Sequence, residues 1–182
     1  VLLRRWVRGT LYFSGADGID GTALSSSQYP PGPAGMNILA NAIAFQIVWM
    51  CSVGGAARGW WWAGPLALIG FVLWQLPRSP FRHADVRLMA VAAVVGFLVD
   101  SVWVQAQWLQ FTAPAPSTQV APIWIVTMWM GFALTLNHSL SAFKRRLALA
   151  ALFGLLGGPL AYWIASTTWE AVTLPSDAGL AL

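Results

Sequence analysis

Charge is what this chain has least of. Six acidic and ten basic residues among 182 make only 9% of the sequence, while 58% is hydrophobic. Soluble domains carry about 25% charged residues, so this composition excludes a protein that presents its whole surface to water. The net charge of +4 and pI near 10 would suit nucleic acid. The distribution does not, because the basic residues form short clusters between apolar runs. That is the pattern of membrane orientation, and no nucleic-acid partner is expected.

Other scarcities exclude particular chemistries. Cys51 is the single cysteine, so no intrachain disulfide can form and the thiol reads as a small hydrophobe. Two histidines, His83 and His138, cannot supply the ligands of a di-iron lipid desaturase, and no clustered Cys or acidic pair offers a metal site. No metal and no cofactor are expected. There is no G-x-S-x-G elbow and no phosphate loop. No continuous apolar h-region precedes a small-residue cleavage site, which argues against a secretory signal.

Residues 1–35 differ from the rest. Val1–Thr10 is basic, and Ser14–Gly35 is rich in Gly, Ser, Pro and Asp. Ser25–Pro33 reads as a disordered linker, and Asp17-Gly18 and Asp20-Gly21 as turn dipeptides. Met36 immediately precedes the first apolar run. The expectation is a natural start at Met36, with residues 1–35 an upstream extension; the alternative is a cytoplasmic tail.

A spanning helix needs about 20 mainly apolar residues. Five segments are expected to cross a bilayer: Asn37–Val53, Trp60–Leu76, Leu88–Trp108, Pro122–Phe143 and Leu147–Thr167. The fold class is therefore an all-α polytopic transmembrane bundle over residues 36–182. Arg4, Arg5 and Arg8, then Arg78, Arg82 and Arg87, then Lys144, Arg145 and Arg146 fall on one side; Arg58 alone falls on the other. The positive-inside rule makes the first side, and the N-terminus, cytoplasmic. Trp60, Trp61, Trp62, Trp108 and Trp124 read as an aromatic belt at the outer headgroup level.

Asp100 is the only charged residue from Leu88 to Phe111. A carboxylate at that depth marks a functional site by default, and an interhelical tie is its plain structural alternative. Helical spacing puts Gly96, Asp100, Trp103 and Gln107 on one face, and Trp124, Thr127, Gly131, Thr135 and His138 on another. Helical rise separates two layers. His138, Asn137 and Asn41 form an inner polar cluster. Asp100 meets Trp49, Trp129 and the Gly158-Pro159 kink in a central one, beyond direct reach of His138. Gly154 and Gly158 form a G-x-x-x-G for close helix approach, within the chain or between copies. Asp100, His138 and Asn137 are the catalytic candidates. Asn41, Gln46, Trp49, Trp103, Gln107, Trp129 and Tyr162 are the binding candidates.

Several strings carry a resemblance. They are Met36–Ala42 running into Phe45-Gln46-Ile47-Val48-Trp49, Asp100-Ser101 after Gly96, Phe132–Leu140 with its Asn-His-Ser, and Gly157-Gly158-Pro159-Leu160-Ala161-Tyr162. Together they resemble the bacterial inner-membrane proteins grouped as domain of unknown function 2878, over about Met36 to Leu182. The resemblance supports Met36 as the start and implies a bacterial inner-membrane location. It also implies a further apolar helix after the position of Trp169–Leu182, so six spans if this chain is truncated. It carries no activity and only an associational hint of lipid-modifying neighbours, such as cyclopropane-type fatty-acid synthases.

Two function classes follow. One is a non-enzymatic accessory or small carrier in membrane-lipid metabolism, with membrane lipid as partner and a lipid-modifying protein or a second copy as further partners. The other is a membrane-embedded enzyme acting on a lipid or isoprenoid, with Asp100 as acid/base. The first is preferred because no complete catalytic constellation is visible.

Overall fold

The computed structural model describes residues 35–174. The expectations for residues 1–34 and for the chain after Leu174 lie outside the described residues. Five α-helices dominate the described part: α1 (Gly35–Ala56), α2 (Ala63–Gln75), α3 (Arg82–Gln105), α4 (Ile123–Ala133) and α5 (Leu147–Thr167). Three of them, α1, α3 and α5, are long and apolar enough to cross a membrane. Their outward faces are apolar as well, with Leu39, Val102 and Leu155 among many exposed large side chains.

The expected spans and the observed helices differ where polar residues intervene. α2 stops at Gln75 and tightens into a 3-10 turn at Leu76–Arg78, where Pro77 has no N–H to continue the helix. α3 begins at Arg82, six residues before the expected Leu88, because Asp85 takes its place in the first turn, next to the partial positive charge of a helix N-terminus. α4 is 11 residues rather than the expected Pro122–Phe143. The Thr135 hydroxyl donates to the Phe132 carbonyl at 2.6 Å, and bonds such as Leu136 N to Ala133 O replace the α-pattern. Such back-bonding side chains compete with helix. The chain then turns until a 3-10 segment at Ser141–Arg145. α5 matches its expected bounds and stays helical through Pro159.

α1 packs on α2, α3 on α4, and α4 also touches α1 and α2. The α1–α2 contact relies on small residues, since a Cβ at Gly64 would run into Ser52. Gly96 on α3 is bare for a similar reason: the indole of Trp129 lies against it, and a Cβ would collide with that ring. α5 is different. It touches the Ser141–Arg145 turn at one end and the last strand at the other, and it is mostly exposed between them. That strand, β2 (Val172–Thr173), pairs antiparallel with β1 (Gln110–Phe111), Phe111 opposite Val172. Thr112 adds a bond from its hydroxyl to the Glu170 carbonyl at 2.9 Å.

Two expectations fail against this packing. Trp124 is no belt residue: it is 0% exposed, and its indole N–H donates to the Thr112 carbonyl at 3.2 Å. Trp60, Trp61, Trp62 and Trp108 are exposed. Gly154 and Gly158 make no close helix contact among the described residues, since a Cβ at either would meet nothing within 4 Å.

The Gly96–Trp129 contact sets the first prediction. Gly96→Leu should push the indole off α3 and lower stability by about 1–3 kcal/mol, the usual range for overpacking. Thermal unfolding in detergent should fall accordingly, and an unchanged melting temperature would refute the contact.

Candidate functional site

Two polar centres and one groove occupy the bundle. The first centre is built around Asp85, which is fully buried on the first turn of α3. Its Oδ2 accepts from the Ser79 hydroxyl at 2.5 Å and lies 3.0 Å from His138 Nε2. A carboxylate can only accept, so Nε2 is the protonated nitrogen of that pair. Oδ1 accepts from Asn137 Nδ2 at 2.6 Å, and the Lys144 ammonium donates to the other end of the same amide. Asn137 thus relays between a cation and a buried anion. Burial lowers the Lys144 pKa from the usual lysine value, and the Asp85 carboxylate opposes that shift.

A neighbouring set extends this centre to α1. Asn41, buried, donates to Gln75 Oε1 at 3.2 Å and to the Leu134 carbonyl at 3.3 Å, a carbonyl left without a helical partner by the end of α4. Its own oxygen accepts from the Ser139 hydroxyl at 2.7 Å. So Asn41, Asn137 and His138 do gather in one layer. Helix α4 has already ended at Ala133, so the neighbours Asn137 and His138 can both turn their side chains to Asp85.

Chemically, the order of these groups is that of a tie. Ser79 and His138 address the same oxygen of Asp85, and the Ser79 hydroxyl lies 3.4 Å from His138 Nε2, the same ring nitrogen that faces the acid. Serine activation needs the base between nucleophile and acid. Among the described residues no three His, Cys, Asp or Glu side chains converge.

The second centre is Asp100, 0% exposed in the C-terminal part of α3. Its Oδ2 accepts from the Trp129 indole N–H at 2.7 Å, and its Oδ1 from the Tyr162 hydroxyl. Trp129 was expected here. Tyr162 takes the place expected for the Gly158-Pro159 backbone. Trp103 packs edge-on against Tyr162, ring centroids 5.7 Å apart. Gly96, Asp100 and Trp103 therefore share a face toward α4 and α5. Gln107 does not: it lies beyond the end of α3, exposed, with φ 62°. It lines a separate cavity of about 760 Å³ in the loop before α4, with Gln105, Gln110 and Gln119.

Between α5 and the α1–α4 pair runs a groove of about 710 Å³. Gln46, Trp49, Trp129 and Tyr162 from the binding candidates line it, and Gly154, Gly157 and Gly158 leave the α5 side bare. Gln46 is exposed there. Asn41, Asn137 and His138 do not line it, and Asp100 stands behind Trp129 and Tyr162. Asp85, Ser79 and Gln75 are not among the candidates from the sequence: the first two sit among the arginines of an expected loop, and Gln75 at the end of the second expected span. Extending the buried stripe of α3 back from Asp100 and Gly96 through Met89 leads to Asp85.

The two carboxylates should respond differently to substitution. Asp85→Ala leaves His138 buried without its partner, and breaking a buried pair costs about 3–5 kcal/mol. Asp100→Asn retains an acceptor for one of its two donors and should cost about 1–3 kcal/mol. Unfolding free energies in one detergent would rank them, and the reverse order would refute this account of the two centres.

Comparisons with curated proteins and with solved structures find no match. A family model does match, over residues 38–182, and its description is Protein of unknown function (DUF2878). With most of its length covered by that model, from α1 through both polar centres and the groove, the chain belongs to the DUF2878 family.

Proposed function

We propose that this chain is a multi-pass protein of the bacterial inner membrane that holds a membrane lipid in the groove beside α5 without reacting with it. In this reading it serves as a small carrier or accessory component of membrane-lipid metabolism. The five helical segments cross in turn, and the end carrying Arg78, Arg82, Arg87 and Lys144 is cytoplasmic by the positive-inside rule.

The groove is the observation that carries the reading. Its volume of about 710 Å³ falls in the ligand-pocket range of about 300–1,000 Å³. Phe45, Trp49, Trp129 and Phe132 form one wall, and α5 forms the other, with Gly154, Gly157 and Gly158 set among Phe153, Leu160 and Ile164. Glycines in open space give up helix stability, about 0.5–1 kcal/mol each relative to alanine. An occupant lying against the bare backbone accounts for that cost. Gln46 supplies a polar group inside an otherwise apolar lining.

The enzyme reading, with Asp100 as acid/base, has one observation in its favour: Tyr162 both lines the groove and donates to Asp100. Against it, Asp100 itself is shielded and both oxygens already hold donors.

Filling the groove separates the readings. A Leu at position 157 projects into empty space, so Gly157→Leu should fold with an unchanged melting temperature. Native mass spectrometry after stepwise delipidation should then show about tenfold less retained lipid than wild type, a difference of about 1.4 kcal/mol. Equal retention would sink the lipid-holding reading. Asp100→Asn should leave lipid retention within about twofold, well under 1 kcal/mol. In a strain that depends on the protein, a lipid product that vanishes in Asp100→Asn while retention persists would favour the enzyme instead.

A further inference from the structure

The groove has a direction. On α1 its lining runs from Phe45 to Val53, and on α5 from Phe153 to Ala165. At helical rise these stretches are about 12 Å and about 18 Å long. Half of a bilayer hydrocarbon core is about 15 Å. The groove therefore matches the depth of one leaflet. It starts at mid-bundle and ends where α1 gives way to the turn before α2, at the opposite end from Asp85 and Lys144.

That end is closed by an aromatic ring and topped by a cation. Trp169 packs on the apolar cluster that includes Val53, Ala165 and Val172, all three lining the groove. Its ring lies 2.8 Å from where a Gly54 Cβ would stand, so only glycine admits it. The Arg58 guanidinium stands over this ring, 6.0 Å from its centroid, and Arg58 Nη1 donates to the Gly54 carbonyl at 2.8 Å. Arg58 is exposed and is the lone basic residue at this end of the described chain. Among the described residues the single ion pair is Asp85–His138, so Glu170 makes no salt bridge to Arg58. A guanidinium has five N–H donors in a fixed fork suited to phosphate. One is spent on Gly54, which holds the fork in place, and the others remain.

We infer that the groove takes an anionic phospholipid from the leaflet at the Arg58 end, one acyl chain beside α5 and the headgroup phosphate on Arg58 over Trp169. This rests on the lipid-holding reading above and adds the headgroup to it. The charge of the site is matched by an anionic headgroup, and a zwitterionic one gains less because its own cation faces the same guanidinium.

Arg78 provides a matched control. It stands over Trp74 at 5.9 Å and donates to the Trp74 carbonyl at 2.8 Å, the same arrangement at the other end. Neither arginine lines the groove itself, but Trp169 packs on Val53, Ala165 and Val172, which do, whereas Trp74 packs on the buried cluster of Val48, Leu68 and Phe71, which does not. The test offers wild type equal amounts of phosphatidylglycerol and phosphatidylcholine in mixed micelles, then reads retained lipid by native mass spectrometry. Wild type should favour phosphatidylglycerol about tenfold, and the preference should weaken with salt. Arg58→Gln should bring phosphatidylglycerol retention down to the phosphatidylcholine level, Arg58→Lys should recover part of the preference, and Arg78→Gln should keep all of it. Equal retention of both lipids by wild type, or an undiminished preference in Arg58→Gln, overturns the headgroup assignment while leaving the groove occupied. Retention of neither lipid removes the lipid-holding reading itself. A lipid-free species of twice the mass, lost in Gly157→Leu, overturns both in favour of a second copy in the groove.

Discussion

A carboxylate buried on the first turn of a helix has to be given donors, and the donors for Asp85 come from outside its own helix. Ser79 arrives from the turn after α2 and Asn137 and His138 from the segment after α4, while Lys144, from the 3-10 segment before α5, donates to Asn137 behind them. These segments leave the α-helical path, and buried irregular backbone needs partners for its polar groups. Here the satisfaction is mutual. The polar run Thr135–Ser139 leaves the helical path to reach Asp85 and Asn41, and Asn41 in return caps the Leu134 carbonyl that the departing helix leaves free. The shortness of α4, the early start of α3 and the stop of α2 are one event seen from three elements.

The rest of the molecule is organised by what this knot leaves out. α5 takes no part in it except through its leading turn, so it approaches the bundle at separate points. The Tyr162–Asp100 bond and buried Ala165 hold its last third, and the β1–β2 ribbon holds the chain just beyond its end. Between the leading turn and Tyr162 the glycines on its face meet no other part of the described chain within 4 Å of where a Cβ would stand. The groove is thus the space a helix leaves when it is tethered rather than packed.

Much of this was legible in the residues. α5 has the bounds its apolar run predicts, because the polar side chains that bond back to its backbone, Ser166 and Thr167 onto the Trp163 carbonyl, fall in its last turn. The stripes on α3 and on the α4 segment predict burial well: Gly96, Asp100, Trp124, Thr127, Gly131, Thr135 and His138 are all buried. What periodicity could not convey is where a helix gives way. Thr135, Asn137 and Ser139 look compatible with a long span until their side chains are seen bonding elsewhere. Asp85 was hidden by its arginine neighbours, which made the segment resemble a loop. Trp124 looked like a belt residue because its position near a loop says nothing of the ribbon that covers it. The groove was illegible altogether, since it depends on how far α5 stands from its neighbours.

Gly96 and Trp129 carry a last consequence. The indole of Trp129 lies flat on Gly96, reaches Asp100 with its edge, and presents its other face to the groove. Neither position is free to vary alone: a side chain at 96 demands a smaller residue at 129, and a smaller residue at 129 leaves an oxygen of Asp100 without its donor. Substitutions at residues in contact are non-additive, so these positions, 33 apart in sequence, form a single unit of inheritance. In related chains a bulkier residue at 96 should travel with the loss of the aromatic at 129 and of the acid at 100, and such chains would have rebuilt this wall of the groove from different parts.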